Sequence, residues 1–255
     1  MTAFASYAYN KSHAAAYVVV AVRTGWLKEH YPVQFFAALL NSVSSDSGKV
    51  AAYSQYCRKH GIPLLPPDIN QSVRKFSVGR NAQGVSGIRF GLGAIKSCGD
   101  KAIDSIIAQR RKGGPYKDIF DFCQRMDSEQ VNKRVVESLI LSGAMDCTGA
   151  RRTQLMAVYE SALGGVAKSR RSIVAGQMSL FGDGLLEEVK PTLPDIPEYN
   201  LRTMLSLEKN VTGLYISGHP LGDYSKALSA LDMNTARLTE LLESPDHGLS
   251  FDGQR

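Results

Sequence analysis

Two glycine-bearing turns hold the residue types best suited to chemistry in this chain. In the first, Ile95-Lys96-Ser97-Cys98-Gly99-Asp100-Lys101-Ala102 leads straight into a helix predicted over 100–111. In the second, Ser142-Gly143-Ala144-Met145-Asp146-Cys147-Thr148-Gly149 joins helices predicted over 131–142 and 151–166. Backbone N–H groups at such a turn and at the following helix N-terminus face a phosphate oxygen, and glycine permits the close approach. Lys96, Ser97, Gly99 and Lys101, with Gly143, Gly149, Arg151 and Arg152, are therefore the candidate contacts to a nucleic-acid backbone. The macrodipole disfavours cations in a first turn, so the adjacent Arg151 and Arg152 point to a nearby anion. Plain connectors between antiparallel helices use the same glycine turns, and spacing alone leaves both readings open.

Two other segments carry polar chemistry. Asn10-Lys11-Ser12-His13 precedes a helix start and offers a cation, a hydroxyl and free N–H groups to an anion, or simply an N-cap at Ser12 with solvated neighbours. Gln177-Met178-Ser179-Leu180-Phe181 stands isolated in a region without periodicity. Such a peptide seats Leu and Phe in a partner's pocket while a polar residue fixes the register, or it folds back on its own domain.

Catalytic constellations are missing from the sequence. There is no Asp-x-Asp or Glu-x-Asp pair to hold two cations, no phosphate loop of the Walker type and no Gly-x-Ser-x-Gly elbow. Cys57, Cys98, Cys123 and Cys147 are too widely spaced for a metal knuckle, and the five histidines form no ligand motif. A binding module with no catalytic residue, metal or cofactor of its own is the expectation.

The elements that must position these turns read as helices. Apolar residues repeat at helical spacing from Ala14 to about Glu29, Pro32 opens a second helix, and Asp46 caps a third that ends at Gly61. Pro63, Pro66 and Pro67 impose an extended connector over 62–70. Phe76 to Val78 and Gly87 to Phe90 alternate as a β-hairpin, expected to be the only sheet. Helices follow over 100–111, 119–126, 131–142 and 151–166, then a linker over 167–197 and helical patterning over 198–210 and 221–230. The fold class is mainly α: a multi-helical array with tandem helix-hairpin-helix motifs and one small β-hairpin.

Charge supports a polyanionic partner. Lys and Arg exceed Asp and Glu by 12 over the first 176 residues, whereas acids exceed bases by 6 over the last 79. The longest apolar run, Ala14 to Val22, is nine residues, against the roughly 20 that a bilayer requires. No signal peptide is read at Met1, and reduced thiols fit a cytoplasmic protein.

Five stretches carry a resemblance: Phe4 to Tyr17, Leu64-Leu65-Pro66-Pro67-Asp68-Ile69-Asn70, Ile88 to Lys96, Val131-Asn132-Lys133-Arg134, and Gly213-Leu214-Tyr215-Ile216-Ser217-Gly218-His219-Pro220-Leu221. In order and along the whole chain, they resemble the C-family of bacterial replicative polymerases, the alpha subunits of DNA polymerase III. The resemblance implies an internal fragment. It would comprise a fingers-like helical region at 1–80, a tandem helix-hairpin-helix DNA-binding region at 81–167, and a linker at 168–197. A helical segment at 198–255 would lead to a missing oligonucleotide-binding fold. It makes Gln177, Leu180 and Phe181 the sliding-clamp anchor, and Asn10, Lys11, Ser12 and His13 candidates for approaching the incoming nucleotide. It implies duplex primer-template DNA, the clamp, deoxynucleoside triphosphate and other replisome subunits as partners, with no membrane. The Mg²⁺-dependent palm of a DNA-directed DNA polymerase would lie outside this chain, which alone should be inactive. Where such hairpins often carry Gly, this chain has Ser97, and where they often carry Val or Ile it has Cys98. The alternative is a helix-hairpin-helix repair enzyme of the glycosylase type, with Asp146 or Lys101 as its catalytic group. A purely structural helical adaptor leaves the basic body unexplained.

Overall fold

The computed structural model describes residues 11–127, 130–174, 192–224, 227, 228 and 230. Pro32 lacks an N–H that a first helical turn would leave unpaired anyway, so the chain breaks and restarts there. Helix α1 covers Lys11–His30, α2 Pro32–Ser42 and α3 Ser47–Lys59. Asp46 caps α3, its carboxylate accepting from the Lys49 amide at 3.0 Å. Ser12 lies inside α1 rather than at its cap.

The proline-rich connector supplies one strand more than its sequence announces. β1, Leu64–Leu65, pairs in parallel with β3, Ser86–Arg89, and β2, Ser77–Arg80, pairs antiparallel on the other side of β3. The expected hairpin is thus the larger part of a three-stranded sheet ordered β1-β3-β2. Gly87 sits where a Cβ would lie 2.6 Å from the Pro63 carbonyl oxygen, so only glycine lets the connector come this close.

Beyond a 3₁₀ turn at Leu92–Ala94 come α4, Asp100–Gly113, α5, Ile119–Arg125, and α6, Lys133–Leu141. Asp118 and Asn132 cap α5 and α6. A second 3₁₀ turn, Asp146–Thr148, precedes α7, Arg152–Val174, and α8 spans Leu201–Thr212. Helix α7 overruns the expected linker start. No proline or glycine stands between Val166 and Val174, and Ala, Lys and Arg propagate a helix well, so Lys168, Arg170 and Arg171 continue it.

One apolar core runs from Phe36 and Leu40 through Ile69, Ile88 and Leu92 to Ile103, Phe122, Leu139, Met145 and Leu155. The chain divides into two compact units, Met1–Ser217 and Gly218–Arg255, so helix α8 belongs to the first body. In the second unit the described residues form a turn, the Leu221 amide donating to His219 Nδ1 at 3.1 Å. Of the helix expected over 221–230, only 225, 226 and 229 lie outside the described residues; 221–224 form turns and bends instead, and 227 and 228 are helical.

Candidate nucleic-acid interface

The first turn is open to solvent. Ile95 and Cys98 point inward, 2% and 8% exposed, while Lys96, Ser97, Gly99 and Lys101 are exposed. Gly99 is the N-cap of α4 and supplies no capping side chain, so the first amides of α4 are left for an outside acceptor. Ser97 has φ +66°, the one described non-glycine residue in the left-handed region. That conformation costs a side-chain-bearing residue roughly 1–2 kcal/mol, so the turn keeps a glycine geometry without the glycine.

Asp100, in the first turn of α4, would repel a phosphate if left alone. Arg74 pairs with it and with Asp104 one turn further on. These hydrogen bonds, led by the one to Asp104, hold the Arg74 guanidinium above its ordinary pKa. Lys96 and Lys101 therefore dominate the local charge. The turn is fixed to the body where the Lys96 amide donates to the Val211 carbonyl of α8 at 2.8 Å.

The second turn is built differently. Gly143 and Gly149 both have positive φ, +82° and +79°. Gly143 is buried, and a Cβ there would lie 2.3 Å from Nη2 of Arg152. Arg152 itself is only 4% exposed. Its guanidinium donates to Asp146 through Nε at 3.0 Å and Nη2 at 2.7 Å, and to Glu208 through Nη1 at 2.9 Å. Burial alone would lower its pKa, but these carboxylates outweigh that and hold it above the usual value. The sequence argument for an anion near the arginine pair holds, but for Arg152 the anion belongs to the protein. Arg152 is an internal brace and not a surface contact.

Arg151 is exposed and is also paired, its Nη1 donating to Asp195 and to the Ile196 carbonyl, each at 2.9 Å. The Arg152 amide donates to Glu198 Oε2 at 2.7 Å, while the Thr153 amide reaches Oε1 at 3.4 Å. A carboxylate thus sits on the helix N-terminus where a phosphate had been expected. The Arg152 pairing also engages Asp146, the carboxylate a glycosylase reading would have used.

Glu208 is the residue that sequence reasoning missed. It is fully buried in α8 and, besides Arg152, accepts from the amides of Ile216 and Ser217 at 3.0 and 2.9 Å and from the Ser217 hydroxyl. The Gly213 to Ser217 stretch is thereby tied to the second turn, with Gly213 ending α8 at φ +78°. No local signal marks an acid whose partners lie 8, 9 and 56 positions away.

Lys11, Ser12 and His13 lie exposed in the first turn of α1, the His13 ring 4.5 Å from that of Tyr17. Asn10, Gln177, Leu180 and Phe181 fall outside the described residues. The buried thiols are no nucleophiles, since burial pushes Cys98 and Cys123 up to about 12. Among the described residues no three His, Cys, Asp or Glu side chains gather to hold a metal, and no helix is long and apolar enough to cross a membrane.

Residues 61–155 match the family described as the helix-hairpin-helix motif, a span that includes both turns. Over 228 residues the chain is 40% identical to the DNA polymerase III subunit alpha of Vibrio cholerae, covering 89% of this chain and 19% of that protein. The Deinococcus radiodurans subunit is 43% identical over 224 residues, 87% of this chain and 16% of the other. That of Thermus aquaticus is 40% identical over 242 residues, 95% and 19% respectively. The chain spans about a fifth of the length of the curated relatives it matches.

Proposed function

We propose that this chain, similar along most of its length to a fifth of the DNA polymerase III alpha subunit, holds duplex DNA by its backbone for a longer templated polymerase. The observation that carries this reading is the open N-terminus of α4, flanked by exposed Lys96 and Lys101 within the helix-hairpin-helix match. Main-chain amides and lysines engage phosphate oxygens without reading bases, as a polymerase moving over all sequences requires. The second turn, at Gly143 to Gly149, is tied through Arg152 to Glu208 of α8, the helix whose Val211 carbonyl holds the Lys96 amide of the first.

The test is duplex binding by fluorescence anisotropy over a series of salt concentrations. Each phosphate contact contributes about 0.9 to the slope of log K against log salt. Lys96→Ala with Lys101→Ala should reduce that slope by about 1.8 and weaken binding by about thirtyfold at physiological salt. An unchanged slope removes the first turn from the DNA surface.

The finer parts of the reading are supported by the sequence resemblance. Gln177, Leu180 and Phe181 form the anchor for a sliding clamp, which multiplies the local concentration of the enzyme at a primer terminus. Asn10, Lys11, Ser12 and His13 approach the triphosphate of the incoming nucleotide. In the longer enzyme an azido-nucleotide crosslink should map near Lys11, and labelling confined to distant segments would discard this role. Templated nucleotidyl transfer and its Mg²⁺ ions are assigned to the longer polymerase, as are a cytoplasmic location and other replisome partners. This chain's own residues bind and orient.

A further inference from the structure

The segment Pro194–Glu198 is hydrogen-bonded to the start of α7 through its side chains and carbonyls. Glu198 accepts the Arg152 and Thr153 amides, Asp195 and the Ile196 carbonyl accept Arg151, and the Pro194 carbonyl accepts from Gln154 Nε2 at 2.8 Å. None of these five residues is buried, and the Asp195 side chain is 95% exposed. An ion pair this exposed holds only weakly. The strap is therefore attached by polar contacts and can be exchanged.

Its chemistry copies that of another ligand. Two oxygens of one anion on successive first-turn amides, with a guanidinium alongside, is how a helix N-terminus takes a phosphate. In the same first turn of α7 the Thr153 hydroxyl is buried without a hydrogen-bond partner. A phosphodiester brings the same two charged oxygens as a carboxylate to the amides, and its ester oxygens are additional weak acceptors.

We propose that Pro194–Glu198 is an internal stand-in for the DNA backbone, one that a phosphodiester displaces from the α7 N-terminus and from Arg151 on binding. This rests on the duplex-binding reading above and adds that the second turn joins the DNA surface only by exchange. Arg151 and the α7 amides arrive already neutralised, so the exchange releases fewer counterions than a bare site would.

The test is amide hydrogen exchange followed by NMR on the whole 255-residue chain, free and with a random-sequence duplex. In the free protein the Arg152 and Thr153 amides should be protected, and Glu198→Gln with Asp195→Asn should speed their exchange at least about tenfold. Adding DNA to this variant should restore the protection, with duplex affinity about tenfold above that of the unaltered chain. Unaltered exchange at interior α7 amides such as Val158 reports that the helix is intact. Asp195→Asn alone, with the Glu198 seat retained, should give the same trend in affinity to a smaller extent. If DNA protects the Lys101 and Ala102 amides of α4 but leaves those of Arg152 and Thr153 exchanging freely, the stand-in is wrong and the duplex-binding reading stands. Protection at neither turn, with no binding, overturns both.

Discussion

Arg152→Ala should destabilise the folded chain by about 3–5 kcal/mol, because it strands the fully buried Glu208 without its counter-charge. For a body of this size the loss corresponds to a fall in Tm of roughly 10 °C, read by calorimetry or circular dichroism. The arginine does more than neutralise. Its guanidinium spans Asp146 in the second turn and Glu208 in α8, so its removal also unfastens the turn from the Ile216–Ser217 segment. Adding Glu208→Gln to Arg152→Ala should recover part of the loss, since a neutral amide oxygen still accepts from the Ser217 amide without a stranded charge. A single variant within 1 kcal/mol of the original protein would show that this pair is not a structural tie.

The second large effect concerns the proposed clamp anchor. Leu180→Ala with Phe181→Ala should weaken binding to a sliding clamp at least about a hundredfold in titration calorimetry, since buried anchors of this kind contribute roughly 2 kcal/mol or more each. The neighbouring Ser179→Ala, between Gln177 and the anchors, should leave the affinity within about threefold. Duplex binding through Lys96 and Lys101 should be untouched. Retained clamp affinity in the double variant would place the contact elsewhere in the chain.

Local rules made much of the helical framework readable. Pro32, Asp46 and Gly61 act within one helical turn, and the structure uses each as expected: a helix start, a cap, and the left-handed residue just past α3. The exposed first turn was also legible, because Lys96, Ser97, Gly99 and Lys101 are neighbours in sequence. What escaped depends on partners far along the chain. The adjacent arginines signalled an anion, but nothing near them showed that Asp195, Glu198 and Glu208, 44 to 56 residues onward, would supply it. The prolines of the connector foretold extended backbone, yet its parallel pairing with β3 requires Gly87 to admit Pro63, a tertiary coincidence. Helix α7 ran long because composition alone does not mark where a well-populated helix stops.

The connector after β1 has a further consequence. The Ile69 amide bonds the Ala144 carbonyl in the second turn, and the Ser72 hydroxyl donates to the Phe90 carbonyl ahead of the first. From α4, Arg110 clasps the carbonyls of Ile69 and Ser72, while Asn70 exchanges two hydrogen bonds with the Tyr116 backbone. Both glycine turns are thus mounted on one stiff frame, like the jaws of a caliper locked at a single setting. On the duplex-binding reading proposed above, a body held this way would gauge the pitch of the double helix, and a geometry that departs from that setting, such as an A-form stretch or a looped-out base, would register as misfit at one jaw even though no base edge is touched.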